Sequence, residues 1–90
     1  MLKIRSKPWQ VYLLLCKDKS LYCGITTDIK RREKEHNSGK GAAYVKSRHG
    51  GKMVYKEKVK NRSLALKREA EIKKWPRVKK LELVKKYRPG

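Results

Sequence analysis

"LYCGITTDIKRREKEH", residues 21–36, changes character in its middle. It opens on apolar and β-forming residues and ends on an almost wholly charged run, so it reads as a strand feeding a helix. Gly24 permits a sharp turn at the join. Thr26, Thr27 and Asp28 each offer a side-chain oxygen to cap the helix, and Gly39 supplies a stop. Upstream, "WQVYLLLC", residues 9–16, is a near-continuous apolar run of the kind a strand covered on both faces requires. "KDKS" between the two is a turn cluster, which makes residues 9–25 a hairpin. Loop length then decides whether Tyr12 and Tyr22 share a face, because side chains alternate along a strand. A two- or four-residue loop separates them; a three- or five-residue loop, or a bulge, brings them together. The expectation is that they share a face.

Further along, "MVYKEKV", residues 53–59, alternates as a third strand, and the glycine-bracketed segment before it holds at most a short helical turn at residues 42–46. Asn61 or Ser63 caps a helix over "LALKREAEIKKW", which Pro76 ends near Trp75. "RVKKLELVKKY" closes the chain as a helix with Val78, Leu81 and Val84 at helical spacing. The order β-β-α-β-α-α predicts an α+β domain, a small three-stranded antiparallel sheet flanked by helices. At 90 residues one domain is expected, with residues 1–7 a basic tail and a core over about residues 9–87.

Charge bounds the partner. Lys and Arg number 27 against 8 acids, a formal net charge of +19. Such an excess repels itself in a compact fold and calls for a polyanion, with nucleic acid foremost. A membrane partner is not expected: no long amphipathic basic helix and no apolar run of spanning length is present. The polar start and two cysteines without a CxxC pair, Cys16 and Cys23, predict a cytoplasmic protein with reduced thiols. Cys16, Cys23, His36 and His49 match no familiar zinc spacing.

Ile29, Arg32, Glu33 and His36 share one helix face, and only Ile29 is apolar. That face is either solvated or turned, through Arg32 and His36, toward a cleft beside Tyr22. Periodicity leaves both readings open. Glu69 lies three residues from Leu66 and from Ile72, so it flanks the packing face of its helix; an ion pair with Lys73 at i+4 is the simpler alternative. "KGAAYVKSRHGGK" sets Lys40, Tyr44, Lys46, Arg48, His49 and Lys52 among flexible glycines, a composition suited to a sugar-phosphate backbone. Trp75 is read as core rather than as a stacking platform.

"QVY" at residues 10–12, "YCG" at 22–24, then Arg32, His36 and "LALKREAEIK" together resemble the GIY-YIG nuclease domain, in particular its small stand-alone bacterial members. The first triplet lacks its glycine, Cys23 stands where isoleucine is usual, and no asparagine follows Asn61. The resemblance implies an endonuclease hydrolysing DNA with a divalent metal, Mg²⁺ or Mn²⁺. It gives Tyr12 the activation of water, with nearby cations expected to lower its pKa, and Tyr22 the positioning of water or phosphate. It gives Arg32 the reacting phosphate, His36 an orienting or phosphate contact, and Glu69 the metal. Selectivity for branched, nicked or flapped DNA, or a protein partner that supplies specificity, follows from the lack of a separate recognition module. The alternative is a non-catalytic DNA- or RNA-binding protein with the same basic surface.

Overall fold

The computed structural model describes residues 8–39 and 50–87; the expected basic tail and the turn at 42–46 lie outside them. β1 (Trp9–Cys16) is the middle strand, flanked antiparallel by β2 (Leu21–Thr26) and β3 (Gly51–Val59) in the order β2-β1-β3. Its central place explains its sequence, since Val11, Tyr12, Leu13 and Leu14 are buried in succession and each face needs its own apolar cover. Val11 and Leu13 join Cys23, Ala65 and Ile72 in one core; Tyr12, Leu14 and Cys16 pack with Tyr22, Ile29 and Met53 on the other side. The strand and helix order is the expected one, with α1 (Ile29–Asn37), α2 (Arg62–Lys73) and α3 (Arg77–Lys86) completing it.

The hairpin loop is Lys17, Asp18 and Lys19, closed by the Cys16 amide donating to the Ser20 carbonyl at 2.8 Å. Lys19 takes φ 75, the left-handed residue that a three-residue hairpin loop requires. The odd loop sets Tyr12 opposite Gly24 and Leu14 opposite Tyr22, so both tyrosines face the same side. β3 carries a bulge: Tyr55 lies opposite Leu13 and Met53 opposite Leu14, leaving Val54 extra. The extra residue switches face parity, so Met53 joins Tyr12 while Tyr55 and Val59 pack on the opposite side. Simple alternation in the sequence did not show this.

Asp28 is the residue that caps α1, accepting from the Arg31 amide at 3.1 Å, and Gly39 follows it at φ 82. Asn61 caps α2, accepting from the Leu64 amide at 2.9 Å. Two expected faces are corrected. On α2 the buried residues are Ala65 and Ile72, whereas Leu66 is exposed. On α3 the core contacts are Leu83 and Val84, whereas Val78 is 69% exposed. Helix periodicity reports a stripe, but which part of it is covered depends on where the helix meets the sheet, and α3 packs through its C-terminal half. Arg68 of α2 forks onto Glu57 of β3 with Nε at 2.9 Å and Nη2 at 3.2 Å, tying helix to strand. Trp75 packs against the core, with the Arg68 guanidinium 5.1 Å and the Lys79 ammonium 4.5 Å from its ring.

Candidate active site

Tyr12 leans across β2 over Gly24. A Cβ at Gly24 would stand 2.5 Å from the Tyr12 hydroxyl and 2.7 Å from Cζ, so the ring occupies the space that only glycine leaves. There Tyr12 meets Tyr22, with ring centroids 6.2 Å apart, and His36, at 5.9 Å; Tyr22 and His36 are 5.5 Å apart edge to face. Tyr12 Oη and His36 Nε2 share a buried hydrogen bond of 2.8 Å. Both residues are 2% exposed, so His36 is covered rather than open to a cleft.

Burial sets the electrostatics of this trio. It pushes the Tyr12 phenol well above the ordinary tyrosine value; Tyr22 adds to that, and Arg32 opposes it without overcoming it. The expected lowering by nearby cations is therefore corrected. The chain's many cations lie mostly in water, where they are screened, whereas desolvation acts directly on the buried phenolate. Tyr22 is likewise raised by burial, with Lys73 opposing. His36 is held below its ordinary value, chiefly by burial and then by the Arg32 charge, and so is a neutral imidazole at neutral pH. In the tautomer protonated at Nδ1, its Nε2 accepts from Tyr12 Oη.

Arg32 stands four residues before His36 on α1. Its guanidinium pairs with Glu35 at 3.4 Å. Among the described residues, neither Arg32 Nε nor His36 Nδ1 has a hydrogen-bond partner, although both atoms are buried. Two orphaned nitrogens in one corner amount to unspent capacity for an acceptor such as a phosphate oxygen.

Glu69 comes from the opposite wall. Ala65, Glu69 and Ile72 follow the i, i+4, i+7 stripe of α2 toward the sheet, leaving the Glu69 side chain 18% exposed. It pairs with Lys73 at 3.5 Å, and its charge acts on both Tyr12 and Tyr22. The i+4 pair expected from the sequence is made, and the carboxylate lies beside the helix stripe that packs on the sheet. The neighbouring acids are engaged elsewhere, since Glu57 and Glu71 both bind Arg68. Among the described residues no group of three His, Cys, Asp or Glu could hold a metal. A lone carboxylate fits a hard divalent cation whose other ligands are water and substrate phosphate.

Of the other candidates, Gly24 sits beneath Tyr12, and Lys52 is exposed on β3 beside a hollow of about 440 Å³ lined by Ile29, Met53 and Val84. Lys40, Tyr44, Lys46, Arg48 and His49 lie outside the described residues. Sequence reasoning named Lys73 only as the partner of Glu69 and did not foresee its ammonium 6.0 Å from the Tyr22 ring; it missed the bonds from α1 to β3 made by Glu33 and Asn37. The Gly50–Gly51 pair was the one available signal for the latter. Cys23 is buried, with its thiol pushed up to about 12 by burial, and serves packing. No helix among the described residues is long and apolar enough to cross a membrane.

The same arrangement of strands and helices occurs in known proteins. Residues 8–82 match the family model described as the GIY-YIG catalytic domain. A UPF0213 protein of Syntrophus aciditrophicus is 55% identical over 83% of this chain and 87% of its own. One from Haloquadratum walsbyi is 49% identical over 81% and 82%. Solution NMR structures of a UPF0213 protein of Bacillus halodurans and of a protein of E. faecalis share the fold. The first has a TM-score of 0.54 at 43% identity, covering 86% of this chain and 82% of its own. The second has a TM-score of 0.60 at 40% identity, covering 93% and 94%. With its strand-borne tyrosines, α1 arginine and α2 glutamate in one fold, this chain belongs to the GIY-YIG family, a family of nuclease domains.

Proposed function

We propose that this protein is a metal-dependent endonuclease that hydrolyses phosphodiester bonds in DNA, with one catalytic domain over about residues 9–87. The observation that carries the reading is the buried Tyr12–His36 hydrogen bond of 2.8 Å together with Arg32 Nε, which is unpartnered among the described residues. A protein that only binds the backbone gains nothing from a buried phenol–imidazole pair. Hydrolysis does, because water must lose a proton as it attacks phosphorus.

Tyr12 is too weak an acid to stand as free phenolate, so it works as a relay. Its oxygen takes the proton of the attacking water while its own proton passes to His36 Nε2. The water oxygen bonds phosphorus as the bond to the leaving oxygen breaks, and that oxygen departs with the bonding pair and takes a proton from bulk water. Arg32 holds the non-bridging oxygens as a rigid fork, and Tyr22 orients water or phosphate. Glu69 would hold the divalent cation, Mg²⁺ or Mn²⁺, which supplies charge relief at the phosphate. Lys40, Tyr44, Lys46, Arg48, His49 and Lys52 extend the contact along the backbone. Selectivity in this reading comes from branched, nicked or flapped DNA structure or from a protein partner, with repair or recombination as the setting.

The test is cleavage of plasmid, linear and branched DNA with Mg²⁺ or Mn²⁺ by the native protein and by Glu69→Ala. Metal-dependent cutting by the native protein alone is the expected result. Salt-sensitive binding without cutting by either protein would establish instead the non-catalytic DNA or RNA binder that a +19 charge also serves.

A pH profile follows from His36. Its folded value lies below the free value of about 6.5. Cleavage is therefore expected to be constant above that pH and to fall below it, as Nε2 is protonated and can no longer accept. Stability shifts the same way: between 6.5 and the lower folded value the unfolded chain binds the extra proton, so acidification through that window destabilises the fold. A His36→Gln variant should lose this acid-side change in stability; an unaltered profile would remove His36 from the account.

A further inference from the structure

α1 has little apolar surface with which to dock. Of its nine residues only Ile29 is apolar, and Lys30, Arg31 and Lys34 lie toward solvent. Most amphipathic helices are held by a buried stripe. This one is held by polar bonds to the edge strand β3. Glu33 Oε2 accepts from the Met53 amide at 2.7 Å. One turn on, the Asn37 carboxamide behaves as a strand partner: its Nδ2 donates to the Gly51 carbonyl at 2.9 Å and its Oδ1 accepts from the Gly51 amide at 3.0 Å. The same Nδ2 also donates to the Glu33 carbonyl at 2.9 Å. β3 is shaped to receive it. Gly50 takes φ 83, and a Cβ there would run into Asn37 Oδ1 and stand 3.3 Å from Asn37 Cα. Arg32 and His36 each stand one residue before a clamp residue.

We propose that Glu33 and Asn37 are positioning residues that hold Arg32 and His36 at the tyrosines by clamping α1 to the outer edge of β3; the proposal rests on the nuclease reading above. The clamp also occupies amide and carbonyl groups that an edge strand would otherwise present to another chain. Because α1 has so little burial to fall back on, loss of one clamp bond lets Arg32 and His36 drift by an ångström or so, a scale at which cleavage falls about 10²-fold.

The variants separate positioning from charge and from folding. Glu33→Gln keeps an oxygen for the Met53 amide and should cleave within about threefold of native, whereas Glu33→Ala should lose roughly 10²-fold in kcat. Asn37→Asp is isosteric but faces the Gly51 and Glu33 carbonyls with a carboxylate, and should fall with Glu33→Ala. Gly50→Ala attacks the clamp from the strand side and should match them, with α1 itself unchanged. In all four, KM for DNA should stay near native, since the basic surface is intact. The imidazole ¹⁵N and ¹H NMR shifts of His36 report the Tyr12 bond without any cleavage. They should move in Glu33→Ala, Asn37→Asp and Gly50→Ala and stay in Glu33→Gln. Native His36 shifts in all four folded variants would overturn the clamp. Equal loss of cleavage in Glu33→Gln and Glu33→Ala would overturn it too, by showing that the carboxylate charge itself acts. A native protein that cuts nothing, with the NMR pattern as expected, would remove the nuclease reading and leave the clamp standing.

Discussion

Arg32→Ala should cost about 10³-fold or more in cleavage and almost nothing in DNA affinity. The guanidinium is half-buried near the tyrosines with Nε unpartnered among the described residues, so a phosphate held there would be held where water is scarce. Its share of the long-range attraction is small, one of 27 basic residues. The slope of log affinity against log salt should fall by no more than about one unit. Arg32→Lys keeps the charge but loses the fork and should show the native salt slope without recovering the rate. Cleavage at a tenth of native or better in the alanine variant would remove Arg32 from the chemistry.

Gly24→Ala should be the other severe change, although it adds only one methyl group. The new Cβ would have to stand 2.5 Å from the Tyr12 hydroxyl, with the ring walled in by Leu14, Tyr22 and His36. Either the ring leaves or the strands part; overpacking of this kind costs about 1–3 kcal/mol. Whichever yields, the Tyr12–His36 bond is broken, and cleavage should fall by about 10²-fold or more. Tyr12→Phe is the comparison, because it keeps the ring and removes only the hydroxyl. It should be as inactive yet more stable than Gly24→Ala, and the double variant should lose little further activity, since both changes remove the same bond. Native-like cleavage by Gly24→Ala would show that the Tyr12 hydroxyl need not stand where the structure puts it.

Much of the frame was legible in the chain. Continuous apolarity from Val11 to Leu14 marked a strand covered on both faces, and KDKS marked the turn, but only the structure gave the three-residue loop that sets Tyr12 and Tyr22 on one face. Asp28, Asn61, Gly39 and Pro76 set helix ends by local chemistry. What could not be read were the features that depend on which element lies across from which. The Val54 bulge breaks the alternation that would otherwise place Met53. The packing faces of α2 and α3 follow the angle at which each helix meets the sheet.

The site divides along the same line. The sequence by itself determined which side chains could do phosphodiester chemistry, because residue type and helix spacing are local and set which groups share a turn or a face. Only the tertiary structure decided what those groups are. It made Tyr12 a reluctant acid and kept His36 neutral, left Glu69 with Lys73 while Glu57 and Glu71 went to Arg68, and put Glu33 and Asn37 on the edge of β3. Desolvation and hydrogen-bond partnership depend on neighbours distant along the chain, such as Tyr12 and His36, 24 residues apart, and no local pattern carries that information.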